Sequence, residues 1–384
     1  MSWTVRCIAL SVIFVTGTVG TRFAEANIGD GVDFGGWMAG GFYDNSHGLS
    51  GPAANTPLGF NNIGDEFQLH QAWMYLGKEA QTGNGIDFGF RVDFMFGSDA
   101  PDTQAFGDGS WDASWITDNS GDYGFAMPQL YSEVALGDTV VKMGHFYTII
   151  GYEVVQAPQN FFYSHAYTMV YNEPRTHTGI LAQTPLGSHI KAYYGWTRGW
   201  DSGFENRQEG STFLGGLGLE ITDKMTLNWG TSFGDPGDVD AATSDVFLSS
   251  FVLDWKPVDA VEYVVQTDFQ SRQTTAAVGG QSAFKQYGLN QYLFLYLTDA
   301  IAAGMRYEWF YVGEGIGLPL NTAMGTPGGH YHAVTMGLNM NIGGMLIKPE
   351  MRYDWVDHDA GFAPFDGNVR QSQFTWGAQS IMTF

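Results

Sequence analysis

The chain has 384 residues, 44% of them apolar, 15% aromatic and 15% charged, with 52 glycines. So much aromatic and apolar surface excludes a disordered chain. No run beyond the N-terminal segment approaches the roughly 18–20 uninterrupted apolar residues of a membrane-spanning helix. With 40 acidic residues against 17 basic ones the net charge is −23, which leaves no basic footprint for nucleic acid.

Residues 1–26 read as a cleaved signal peptide: Arg6 supplies the charge, Cys7 to Gly20 the apolar core, and Ala24-Glu25-Ala26 the cleavage site. Cleavage removes the one cysteine together with Arg6, Arg22 and Glu25, leaving 15 basic and 39 acidic residues, a net charge of −24. Residues 27–384 are then expected to form a single domain.

After a weak strand near 34–43, the clearest element runs from Ile86 to Phe96. Ile86, Phe88, Phe90, Val92, Phe94 and Phe96 share one face, and Asp87, Gly89, Arg91, Asp93 and Met95 the other. This period of two marks a strand that is apolar on one side only. From one strand the apolar row fits either a second sheet or lipid. The alternation returns at 213–221, 261–270, 286–297 and 345–355, each time with a polar or glycine-rich second face. So many polar inner faces fit a water-filled barrel and no soluble core.

Tight connections are expected at 77–85, 137–139, 184–189, 222–224, 256–259, 298–300 and 343–344. Long polar ones alternate with them at 44–65, 97–126, 149–176, 199–211, 234–244, 271–283, 313–330 and 356–371. Seven short and eight long connections join sixteen strands, an all-β transmembrane antiparallel barrel with short periplasmic turns and long external loops. Phe374, Trp376, Ala378, Met382 and Phe384 alternate to the end of the chain, and a terminal Phe384 resembles the signal read by the outer-membrane assembly machinery. Trp73, Tyr75, Tyr147, Trp196, Trp229, Trp255, Trp309, Tyr311, Tyr353 and Trp355 are expected in aromatic girdles facing lipid.

The third long connection differs from the rest. Phe161, Phe162, Tyr163, Tyr167, Met169, Val170 and Tyr171 have no reason to face water, so this loop is expected to fold into the lumen. The rival is an outward loop making apolar contacts. The segment Gly144-His145-Phe146, Gly151-Tyr152-Glu153, Pro158-Gln159-Asn160-Phe161-Phe162-Tyr163-Ser164-His165, Glu173-Pro174 and Thr178-Gly179 resembles the OmpL-like β-barrel porins. The resemblance extends over most of residues 27–384. It implies a passive outer-membrane channel for small hydrophilic solutes and ions, with no catalytic residues and no cofactor.

Opposed charges across a constriction orient solutes and set ion preference. The expected constriction set is Glu153, His165, Glu173 and Arg175 from the third loop, faced by Arg91, Asp93, Arg306, Glu308, Arg352 and Asp354 on the wall. Glu173 and Arg175 have a second reading as a staple holding the loop to the wall. Further inward charges are expected at Asp87, Glu133, Lys142, Lys191, Glu220, Glu262, Asp268, Lys348 and Glu350. Asp235, Asp238 and Asp240 read as a solvated acidic loop rather than a calcium site, and His330 and His332 lack a third metal ligand. Two other functions remain open: an adhesin or structural barrel, and a barrel hydrolase, for which no distinctive Ser/His/Asp set stands out. Outer-membrane lipid and further copies of the chain are the expected neighbours.

Overall fold

In the computed structural model the strands are β2 (Asp33–Asn45), β3 (Phe67–Lys78), β4 (Ile86–Gly97), β5 (Gly124–Leu136), β6 (Thr139–Tyr147), β7 (Thr176–Pro185), β8 (Ile190–Thr197) and β9 (Ser211–Thr222). They continue as β10 (Met225–Asp235), β11 (Thr243–Val258), β12 (Val261–Val278), β13 (Gln281–Thr298), β14 (Ile301–Val312), β15 (Gly329–Ile342), β16 (Met345–Asp357) and β17 (Ser372–Thr383). Each is antiparallel to the next. β17 returns to β2 in a register running from Thr375 opposite Asn45 to Thr383 opposite Trp37, which closes a sixteen-stranded barrel. Phe384 and Gly36 complete the seam with backbone hydrogen bonds at 2.9 Å. Closure leaves no strand edge unpaired, as a sheet immersed in hydrocarbon requires. A two-residue strand, β1 (Ala26–Asn27), extends the start of β2 beyond the reach of β17.

The structure describes residues 26–27, 31–51, 54–83, 85–105, 111–112, 122–205, 209–237, 243–278, 281–313, 329–357, 363–367 and 369–384. Residues 1–25 of the expected signal peptide lie outside them, as do Asp238 and Asp240.

Alternation decides which residues face outward and which face the lumen. On β16, Met345, Met351 and Tyr353 are exposed on the outside, while Lys348, Glu350, Arg352 and Asp354 are buried inside. Three aromatics expected in the girdles face inward instead. Trp73 and Tyr75 are buried, Trp73 stacks on Trp37 with ring centres 4.6 Å apart, and Tyr147 packs behind it at 6.4 Å. They form a wall for the third loop rather than part of the outer face. Trp196, Trp255 and Tyr353 do point outward.

The segment expected as a long loop at 271–283 is mostly strand. β12 and β13 continue through it until Val278 pairs with Gln281, which leaves only Gly279 and Gly280 between them. The β-branched Thr274, Thr275 and Val278 favour extension.

The third loop, 148–175, lies inside the barrel. It carries a 3-10 turn (Ala157–Gln159) and one helical turn, α1 (Tyr167–Tyr171). Phe161 and Phe162 pack with Tyr292 and Phe294 of β13, and Tyr167 packs with Phe310 and Tyr331 of β14 and β15. Burying a Phe-sized side chain contributes roughly 1.5–3 kcal/mol, so these rings offset the entropy of ordering the loop.

Candidate functional site

The wall under the third loop is built from the inward faces of β14, β15 and β16. Register sets Arg306, Thr335 and Arg352 in one row, Glu308, Ala333 and Asp354 in the next, and Gly304, Gly337 and Glu350 in a third. The middle strand supplies only small side chains. Long charged groups on its neighbours can therefore meet across it, and Arg352 Nη1 reaches Glu308 Oε1 at 2.9 Å. Along their own strands Arg306 Nε lies 2.8 Å from Glu308 Oε1, and Arg352 Nε lies 2.8 Å from Asp354 Oδ1.

The third loop completes this ladder. Glu153 Oε1 meets Arg306 Nη1 at 2.6 Å, and its other oxygen accepts the Ala166 N–H at 2.8 Å and lies 3.2 Å from His165 Nδ1. Burial by itself would raise the Glu153 carboxyl. Arg306, His165 and the Ala166 N–H outweigh burial and hold it down to about 2. The Ser164 carbonyl accepts from Arg306 and the His165 carbonyl from Arg352, at 2.7 and 3.0 Å. Glu308 in turn accepts the Tyr167 N–H at 2.8 Å, and Tyr167 Oη donates to Asp354 at 2.5 Å. The wall's own ion pairs are thus tied at several points to the loop laid over them.

Six of the ten expected residues, Glu153, His165, Arg306, Glu308, Arg352 and Asp354, come together in this ladder. The four on the wall have no exposed surface. They were expected to face an aperture and are closed off beneath the loop, because the loop backbone itself takes up the space in front of them. Glu173 belongs to a separate cluster, where Gln266 Nε2 donates to it and also to Asp268 at 3.0 Å. Burial, reinforced by Asp268, raises the Glu173 carboxyl well above the usual carboxylate range. Gly151 is required beside it: its φ is +89°, and a Cβ there would overlap the Glu173 carboxylate.

Arg175 lies over the Phe60 ring at 5.3 Å, and its charge acts on Asp102 of the second loop and Asp201 of the fourth. It joins loops rather than the ladder. Arg91 and Asp93 pair with each other on β4, four strands around the ring from β16. There Arg91 covers the Tyr75 ring at 3.9 Å, and Trp73 Nε1 donates to Asp93 at 3.1 Å.

Sequence reasoning omitted several anchors. Lys348 donates to the Ala157 and Asn160 carbonyls at 2.7 and 2.5 Å. Glu350 accepts from Tyr43 Oη at 2.7 Å and from the Tyr163 N–H at 2.8 Å. Both were legible as inward charges, though not as loop anchors. His70, whose Nδ1 lies 2.8 Å from Asp99 and whose Nε2 lies 2.5 Å from Tyr163 Oη, carried no such signal. The β2–β3 register slips between Ala39 and Gly40, so His70 and Gln71 are both buried inside, which a strict period of two cannot show.

Toward the short turns the loop leaves a cavity of about 310 Å3 against β8 to β11, lined by Tyr152, Lys191, Tyr193, Asn228 and Asp254 among others. No curated protein matches the chain. Among solved structures, an anion-selective porin from Comamonas acidovorans is similar with a TM-score of 0.61 at 12% identity, covering 92% of this chain and 99% of that one. Salmonella typhi OmpF in complex with daunomycin gives 0.59 at 12% identity over 94% and 100%. In-vitro folded OmpT of Vibrio cholerae, in its trimer form, gives 0.57 at 11% identity over 92% and 99%. At these identities the likeness concerns the fold. The model of the family described as "Putative beta-barrel porin-2, OmpL-like" matches residues 31–384, and the chain belongs to that family.

Proposed function

We propose that the protein is a non-enzymatic outer-membrane porin through which small hydrophilic solutes and ions diffuse passively. The observation that carries this reading is a closed sixteen-stranded barrel with a charged inner face and a loop anchored inside it. The loop and its ladder narrow the channel, and solutes pass beside them along the wall that the loop leaves free. In this reading Glu153, His165, Arg306, Glu308, Arg352 and Asp354 position the constriction. Glu173 and Arg175 tie the loop's ends, and Arg91, held by the buried Asp93, faces the passage from β4. Residues 1–26 direct export, lipid surrounds the apolar outer face, and Phe384 addresses the assembly machinery. Assembly into a homo-oligomer is part of the same proposal.

Purified protein in planar bilayers tests this reading. Stepwise, non-gated conductance and swelling of liposomes in small sugars are the expected results. Closed bilayers despite verified barrel folding would overturn the channel and leave a structural barrel.

A further inference from the structure

The cavity of about 310 Å3 lies over a glycine in the barrel wall. Register sets Lys191 of β8, Gly218 of β9, Asn228 of β10 and Val252 of β11 in one row across its floor, with Tyr193 two residues along β8 from Lys191. A Cβ on Gly218 would stand 3.2 Å from Asn228 Oδ1, 3.7 Å from the edge of the Tyr193 ring and 3.8 Å from its hydroxyl. Polar groups from β8 and β10 therefore converge on the space that the missing side chain leaves. The Tyr193 ring packs against the cluster of Phe146, Leu181 and Leu214, which fixes where its hydroxyl points. Among the described residues, the Tyr193 hydroxyl, the Asn228 amide and the Thr226 hydroxyl have no hydrogen-bond partner. None of the three is sealed off, for each residue is half-buried and lines the cavity.

The charges around the cavity balance. Three lysines and three carboxylates line it, and some are already engaged, Lys256 with Glu262 at 3.2 Å and His189 3.7 Å from Glu220. The groups left to recognise a ligand are neutral. An amide offers two donors and an acceptor, and each hydroxyl both donates and accepts, a set that matches the hydroxyls of a polyol. We propose that this cavity is a binding subsite for a small neutral saccharide, whose hydroxyls bond to Asn228, Thr226 and Tyr193 Oη above Gly218. The volume falls in the range of small-ligand sites and admits a mono- or disaccharide. The subsite rests on the porin reading, to which it adds a class of solute.

The test is saturation-transfer NMR on the full-length barrel in a detergent without a sugar headgroup, alongside bilayer conductance of the same preparation. The probes are glucose, sucrose, a glucose phosphate and a polyethylene glycol of similar size. Saturable transfer to glucose or sucrose is expected, with no gain in affinity from the phosphate and no saturation by the glycol. Asn228→Ala should weaken binding about fivefold, the worth of a neutral hydrogen bond or two, and Tyr193→Phe by a smaller factor. Gly218→Val fills the point of convergence and should abolish binding. Tyr193→Phe keeps its ring packed and serves if Gly218→Val fails to assemble. No saturation with either sugar, equal saturation by the glycol, tighter binding of the phosphate, or unchanged affinity in Asn228→Ala and Tyr193→Phe overturns the subsite. Conductance without saturable sugar binding sinks this proposal alone, and sugar binding without conductance sinks the channel alone.

Discussion

Arg306 and Arg352 have no exposed surface, and a guanidinium survives there only because carboxylates flank it on both sides. Arg306→Ala would leave Glu153 and Glu308 facing each other with one cation fewer. It should destabilise the barrel by about 3–5 kcal/mol, read as a lower denaturant midpoint, because a buried charge is left uncompensated. Two loop carboxyls respond to pH in opposite senses. Glu153 is held down to about 2 in the folded protein, so its stabilisation is complete above the ordinary 4.5 and fades as pH falls from there toward 2. Glu173 is raised, first by burial and then by Asp268, so docking of the loop is favoured in acid and weakens as pH climbs above 4.5. Asp268 and Gln266 face that carboxyl, Asn172 donates to Asp268 behind it, and Glu153 is the next charge. Amide protection of residues 148–175, exchange corrected for its intrinsic pH dependence, should therefore fall at both extremes of pH. Glu173→Gln should remove the alkaline limb alone; persistence of that limb in the variant would assign it to another group.

At the scale of elements, the third loop lies in a depression that the wall provides by omission. A Cβ on Gly304 would overlap the Phe161 ring, and one on Gly288 would overlap Thr168. Gly304→Val should lift the loop, raise single-channel conductance and leave the strands paired. Deleting 158–170 should raise it further and admit larger sugars, and unchanged conductance in a correctly assembled deletion variant would move the constriction elsewhere. The loop's place inside was legible from composition, because seven large apolar side chains in one connection need burial. Its anchors were only half legible. Strand alternation put Lys348 and Glu350 inside, but which loop carbonyl or N–H they meet depends on loop geometry. The sequence spacing of the loop does not encode that geometry. The extension of β12 and β13 was missed because polarity alone was read as loop, although Thr and Val favour strand.

At the scale of the whole molecule, charge and closure carry the remaining expectations. The acidic excess, −23 over the full chain, should concentrate cations at the mouth within a Debye length, about 8–10 Å at physiological salt. Modest cation selectivity that fades as salt rises is expected in reversal-potential measurements. A clear anion preference would place control with the lysines lining the inner cavity instead. Closure rests on the β17–β2 seam, where Phe384 packs its ring near Gly36 and exchanges backbone hydrogen bonds with it. Phe384→Ala should lower the yield of assembled barrel in cells more than it lowers the denaturant midpoint of barrels refolded in detergent.

By itself the sequence determined the class of fold, the number of strands and, where alternation is regular, which face of a strand points outward. Those properties follow from a period of two and the lengths of connections, both local quantities. Only the tertiary structure decided that Arg306, Glu308, Arg352 and Asp354 form a sealed ladder. The ladder needs β14 and β16 to meet across the small residues of β15, and it needs a loop almost two hundred residues distant in sequence from Arg352 to close over it. The inward turn of Trp73 and Tyr147 and the double burial of His70 and Gln71 at a register slip share that origin. Each depends on how far the loop fills the barrel, a property of the assembled volume and of no single strand.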